Sequence, residues 1–185
     1  MGRIRQDENA LWSFAPHELS ILEFLFERSP ASVAARGQCI VHPGVQDVVF
    51  LTLQYADGTT VQLHASRLHP RKERRFTLIC SGKMVEFDDV ASDKLRIYDK
   101  AYDAPPTFTE FAEYLTLGDG DIFIPKLPIE EPLRLQLRHF IDSIVTSSTP
   151  RADVRSALRV TAILEAAQRS LDLDGVPVEI ASTIS

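Results

Sequence analysis

Cysteine is scarce in this 185-residue chain. Cys39 and Cys80 stand far apart and outside any CxxC arrangement, so neither a zinc site nor a disulfide framework can be read from them. Two reduced, mostly buried thiols are the expectation. Long apolar runs are missing too: nothing approaches the roughly eighteen uninterrupted apolar residues of a membrane span. The opening MGRIRQDENA carries basic residues without the apolar stretch of a signal peptide, so the expected location is cytoplasmic, with no membrane partner. Glycine motifs are as sparse. Only GDGD at 118–121 contains GxG, Phe123 stands where a third glycine belongs, and no good helix follows at once. A P-loop, a GxSxG elbow, an HExxH pair and a calcium loop are all absent. The net charge of −6 supplies no general attraction for nucleic acid.

What is present is an ordinary globular composition, 44% apolar and 25% charged. This length suits one domain over residues 1–185, able to bury about 70% of the surface its unfolded chain exposes. Near the start, ENALWSFAPHELSILEFLF (8–26) places Leu19, Leu22, Leu25 and Phe26 at helical spacing, with Glu18, Glu23 and Glu27 on the polar side. Pro16 fits a first helical turn, with Ser13 or Ala15 near the cap. The helix is expected to run to about Arg28 and to stop at Ser29-Pro30.

The period then changes. Segments 31–41, 45–68, 74–82, 83–89 and 94–100 are rich in β-branched and aromatic residues and separated by Gly, Pro and Asp signals, which predicts consecutive strands. Asp57-Gly58 supplies the positive φ angles of a tight turn and makes 46–55 and 59–68 an antiparallel pair. Val49, Leu51, Leu53, Val61, Leu63 and Ala65 then share a core face. Thr52, Gln54, Thr60, Gln62, His64 and Ser66 share a half-wet one. Short strands are expected within 107–128, with Gly118 and Gly120 in a loop, and a last strand in 176–180. Two helices are expected in 130–147 and 152–175. Leu133, Leu137, Phe140 and Ile144 form the stripe of the first; Ala157, Val160, Leu164, Ala167 and Leu171 form that of the second. The predicted class is α+β: an open, predominantly antiparallel sheet with helices packed on one face.

Few residues carry chemistry on their own. His17 at a helix start could act as a base or donate to a hydroxyl, but an isolated Pro-His pair more commonly caps or packs locally. SRLHPRKERR gathers Arg67, Arg71, Lys72, Arg74 and Arg75 around His69. A solvated basic edge, a phosphate pocket and a nucleic-acid patch compete for it. The edge ranks first and nucleic acid last, since stacking aromatics are not interleaved. Asp88 and Asp89 point to opposite faces if they lie on a strand and are better read as a turn. His139 reads as structural, and His42 and His64 have no carboxylate or cysteine at ligand spacing.

Four stretches taken in order, ENALWSFAPHELSIL, ASRLHPRKERRFTLICSGKMVEFDD, EEPLRLQLRHFIDSI and PRADVRSALRVTAILEAAQRSL, resemble the C-terminal domain of the Gfo/Idh/MocA oxidoreductases. WSFAPH and S-x-LHP-x-KE are most similar to the branch that oxidises nucleotide-linked sugars. The resemblance implies a substrate-binding and oligomerisation domain of an NAD(P)-dependent sugar or nucleotide-sugar dehydrogenase, whose Rossmann domain and lysine lie outside this chain. It implies a catalytic role for His17, which matches the His that approaches the sugar hydroxyl, and substrate contacts from Asn9, Trp12, Ser13, Arg67, His69 and Lys72. No cofactor is expected on this chain alone.

Two positions depart from the family's pattern. Ser13 stands where many members carry Asp four residues before the His, so it can position substrate but cannot replace a carboxylate as base. Arg67 stands where the nucleotide-sugar branch often has Trp. The implied partners are a sugar or nucleotide sugar, a second copy meeting the half-wet sheet face, and a separate Rossmann-domain polypeptide. The competing expectations are a non-enzymatic association module and a standalone sugar-nucleotide binder.

Overall fold

Alternating apolar and polar residues through 45–68 fold as an antiparallel pair, β2 (Val48–Gln54) and β3 (Thr60–Ser66), with Val49 opposite Ala65 and Leu51 opposite Leu63. The turn between them differs from the expectation in one respect. Gly58 takes φ +90° while Asp57 does not have a positive φ. Asp57 instead accepts from the Thr59 N–H at 3.1 Å, and Gly58 N–H donates to the Tyr55 carbonyl at 3.1 Å. One left-handed residue, the last of the four-residue turn from Tyr55 to Gly58, closes this hairpin, so glycine is needed once.

The computed structural model describes residues 7–71, 73–99, 120–128 and 130–181. They divide into two units, Met1–Leu68 with Leu137–Ser185, and His69–Gln136. The class is α+β, built on open antiparallel sheets.

In the first unit β1 (Ser32–Gln38) pairs with β2 on one side and with the short β8 (Val178–Glu179) on the other, giving the order β3-β2-β1-β8. The helices α1 (Ala10–Phe26) and α3 (Val154–Asp172) pack against each other and against this sheet. The core lies between them. Val33, Val49, Leu51 and Leu53 from the sheet meet Leu11, Leu19 and Ile163, all fully buried, each contributing about 1.5–3 kcal/mol by leaving water. The buried Ser170 ties the layers together: its hydroxyl accepts from Ala35 N–H at 2.8 Å and donates to the Val176 carbonyl at 2.7 Å. The opposite sheet face, including Phe50, Thr52, Gln54, Thr60, Gln62 and His64, is exposed.

α1 begins six residues earlier than Pro16 suggests. Asn9 is its N-cap, accepting from Trp12 N–H at 3.2 Å, and Pro16 lies inside the helix, where it has no N–H to give the Trp12 carbonyl. Glu27 ends the helix in the left-handed region, φ 52°, its N–H donating to the Glu23 carbonyl. Glu23 is a second correction: it is buried, not on a wet face, because Arg159 of α3 reaches across to its carboxylate and Ser29 Oγ donates to it at 3.1 Å.

α2 (Pro132–Thr146) starts where expected, with Glu131 accepting from the Leu133 and Arg134 N–H groups at 3.2 and 2.6 Å. Its stripe of Leu133, Leu137, Phe140 and Ile144 is exposed, and Ser143 is its one buried residue among the described residues. His139 is structural, as expected: its Nε2 accepts from Arg151 N–H at 3.0 Å. Both cysteines are free thiols, and both are exposed rather than buried.

The second unit is a meander, β4 (Arg75–Ile79), β5 (Met84–Asp88), β6 (Leu95–Tyr98) and β7 (Ile122–Phe123), paired in that order. Phe76, Phe87 and Leu95 line up across it, as do Leu78, Val85, Ile97 and Phe123, so one face is wholly apolar at these rows. None of this unit's described residues is buried. The expected turn at Asp88-Asp89 is present, with Val90 N–H donating to Asp88 Oδ1 at 2.9 Å.

Candidate functional site

The N-terminus of α1 is where the sequence concentrates its candidates, and three elements hold it in place. Asn9 does more than cap: its Nδ2 donates to Gln46 Oε1 at 3.1 Å and to Gln168 Oε1 at 2.9 Å. Trp12 Nε1 donates to the same Gln168 oxygen at 3.2 Å, so the indole is half-buried against α3. Ala10 N–H donates to the Gln46 carbonyl at 2.8 Å, and Arg67 donates to the Glu8 carbonyl.

Beneath this start lies a buried ion pair. Arg67, at the end of β3, faces the fully buried Asp47 with Nε 3.7 Å from Oδ1. Asp47 Oδ2 accepts from Val41 and Ile40 N–H groups at 2.7 and 2.8 Å. The Val41 N–H, then the Ile40 N–H and the Arg67 charge, hold the Asp47 carboxyl below the ordinary carboxylate range against the opposing effect of burial. The β1–β2 loop, the end of β3 and the first turn of α1 are thereby fastened at one point.

Above it, Ser13 and His17 are one helical turn apart, about 40° around the axis, and so share a stripe. His17 is exposed and Ser13 half-exposed. Trp12 lies about 140° around from His17 on the same scale, on the side that meets α3. A helix stripe pairing a hydroxyl with an imidazole can orient a ligand hydroxyl and take its proton.

In the second unit, exposed His69 has Nδ1 2.8 Å from the Arg71 carbonyl and Nε2 3.1 Å from Glu73 Oε2. Lys72 lies outside the described residues. Two residues of the basic run are matched by acids of their own sheet: Arg75 faces Glu86 at 3.3 Å and Asp88 at 3.9 Å, and Arg74 faces Asp89 at 4.0 Å. With β4 at the end of its sheet, Arg74 and Arg75 form a charged edge, whereas Arg67 of the same run is buried against Asp47.

The first unit also holds an open cleft of about 980 Å³ at the far end of α1, lined by Phe24, Glu27, Arg28, Arg151 and the Glu23–Arg159 pair. Tyr55, packed on Phe26 at 5.2 Å between ring centres, is pushed up to about 12 by burial and then by the Glu23 charge. Sequence reading missed Gln46, Asp47, Glu23 and Gln168. Each acts through a partner distant in the chain, and no local spacing announces that. Among the described residues no cluster of His, Cys, Asp or Glu could hold a metal ion, and no helix is long and apolar enough to cross a membrane.

The one described glycine of GDGD, Gly120, has its Cβ position 1.3 Å from the Asp99 carbonyl oxygen, so its missing side chain is used by backbone packing beside β6 rather than by a phosphate.

Residues 2–86 match the model of the GFO/IDH/MocA C-terminal domain. No curated protein matches the sequence. Among solved structures, UDP-N-acetylglucosamine 3-dehydrogenase GnnA from Acidithiobacillus ferrooxidans superimposes with TM-score 0.76 at 18% identity, over 91% of this chain and 50% of that one. The WlbA dehydrogenase from Bordetella pertussis, in complex with NADH and UDP-GlcNAcA, gives 0.65 at 20% identity over 94% and 46%. Levoglucosan dehydrogenase, in complex with NADH and levoglucosan, gives 0.72 at 20% identity over 95% and 51%. The chain thus spans about half the length of the solved proteins it matches. The sequence match, over residues 2–86, is to the C-terminal domain of the GFO/IDH/MocA family, and the fold of the whole is the one those dehydrogenases share.

Proposed function

We propose that this chain is the substrate-binding and association domain of an NAD(P)-dependent sugar or nucleotide-sugar dehydrogenase, working with a dinucleotide-binding domain that supplies the coenzyme. One observation carries the reading: His17 is exposed one turn beyond Ser13, on a helix whose start is fastened by Asn9, Gln46, Gln168 and Arg67, inside the segment that matches the family. In this reading Ser13 hydrogen-bonds a sugar hydroxyl and His17 accepts its proton, while the coenzyme supplied by the dinucleotide-binding domain would take the hydride from the carbon. Asn9 and Trp12 hold that stripe in place, and Arg67 does so from below through Glu8. UDP-N-acetylglucosamine is the first substrate to try, since a dehydrogenase of that sugar nucleotide shares the fold.

The test is reconstitution with a Rossmann-domain polypeptide from the same cell. His17→Ala is expected to lower kcat about 10²–10⁴-fold with a smaller change in KM. Turnover unchanged by that substitution ends the catalytic assignment.

A second reading, self-association, is favoured by the apolar rows Phe76–Phe87–Leu95 and Leu78–Val85–Ile97–Phe123, which have no buried member, and by the exposed outer face of β1–β3. Sedimentation velocity of the wild type and of Phe87→Glu and Phe50→Glu decides it. A dimer dissolved by one of them names the interface, and a wild-type monomer ends the reading.

A further inference from the structure

Two side chains from the start of α1 and one from α3 itself meet at the carboxamide of Gln168. Its Oε1 accepts from Asn9 Nδ2 at 2.9 Å and from Trp12 Nε1 at 3.2 Å, which occupies both lone pairs. Its Nε2 donates to Asp172 Oδ1 at 3.0 Å. The amide can sit only one way round, because a flip sets NH₂ against two donors and oxygen against a carboxylate. Asn9 at the cap and Trp12 three residues on are two separate points on the surface of α1, and two fixed points determine how a helix is rotated about its own axis.

What that rotation aims is the stripe of half-exposed Ser13 and exposed His17, about 100° and 140° around α1 from Trp12. We propose that Gln168 is a positioning residue: from α3, 156 residues beyond Trp12, it sets the direction in which Ser13 and His17 meet a sugar hydroxyl. The inference rests on the functional reading above, but its principal measurement needs no ligand. Trp12 is the one tryptophan in the chain, so intrinsic fluorescence reports this junction alone.

Gln168→Met keeps length and helix propensity and removes all three hydrogen bonds. The expected result is a red-shifted Trp12 emission with lower anisotropy, a displaced His17 ring-proton resonance, and UDP-N-acetylglucosamine affinity weakened roughly 5–30-fold, the factor for one or two net hydrogen bonds. The exchange Gln168→Glu with Asp172→Asn keeps two acceptors toward α1 and a donor at 172, and restores emission and the His17 resonance. Should Gln168→Met misfold, Asp172→Ala at an exposed position frees the amide without touching the core and must move the emission in the same direction. Emission and His17 resonance unmoved in the folded variants overturn the proposal, as does a failed rescue. Spectral shifts in a protein that binds no UDP-N-acetylglucosamine support the positioning role and overturn the sugar-nucleotide reading instead.

Discussion

The two sheets of this protein are alike in plan and unlike in what they bury. Each has four antiparallel strands with apolar residues in register across them. On β2 and β3, Val49, Leu51, Leu53, Leu63 and Ala65 are buried because α1 covers these strands while α3 packs on β1 beside them; the equivalent rows of β4–β7 have no buried member among the described residues. Alternation makes a strand two-faced, but water is excluded only where a second layer lies on the apolar face.

The sharpest way to break that contrast is a matched pair of truncations. Leu51→Ala should cost about 2–5 kcal/mol, the range for a leucine replaced in a packed core, whereas Leu78→Ala, half-exposed on β4, should cost under about 1.5 kcal/mol, most of it transfer of the lost methyl groups. Urea unfolding monitored on both variants checks this. Equal losses mean that the β4–β7 face is covered in solution, which is also what self-association requires.

The pH dependence sharpens it next. Asp47 has its carboxyl lowered in the folded state, so its contribution is complete above the unfolded value of about 3.9 and is lost as pH falls through the lower folded value. Wild type should therefore lose stability on acidification below about pH 4 more steeply than Asp47→Asn, which starts lower and falls less. Parallel profiles by chemical denaturation contradict the role given to Asp47. Gly58→Ala should cost about 1 kcal/mol, since φ +90° is strained for any residue with a Cβ, and the loss should appear as a lower Tm. The smallest effect is expected in the other sheet, where Arg75→Ala removes the pairing of an exposed guanidinium with half-buried Glu86 and Asp88 and should change stability by about 1 kcal/mol or less. A larger change means that this edge is not solvated.

Particular elements show how far the chain could be read without its fold. The hairpin register of 46–68 followed from alternation, and so did the face shared by Leu51 and Leu63, because both depend on neighbours in sequence and on one turn. The start of α1 did not. Pro16 is a strong local signal for a helix start, yet Asn9 won because Gln46 and Gln168 supply the acceptors that hold it. Glu23 looked wet by helical spacing and is buried because Arg159 answers it from α3. Cys39 and Cys80 looked like core thiols by residue type and are exposed. His17 could be singled out by resemblance, but that it is exposed beside Ser13, over a start pinned from three directions, required coordinates.

By itself, the order of residues determined the local periods: which segments are helical, which are strands, and which side chains share a face, since these follow from backbone geometry repeated over a few residues. Only tertiary structure decided which faces are dry, which charges are paired, and how α1 is rotated to present His17. Those outcomes rest on contacts between residues far apart in the chain, and an interaction across 159 positions leaves no mark on the pattern around either partner.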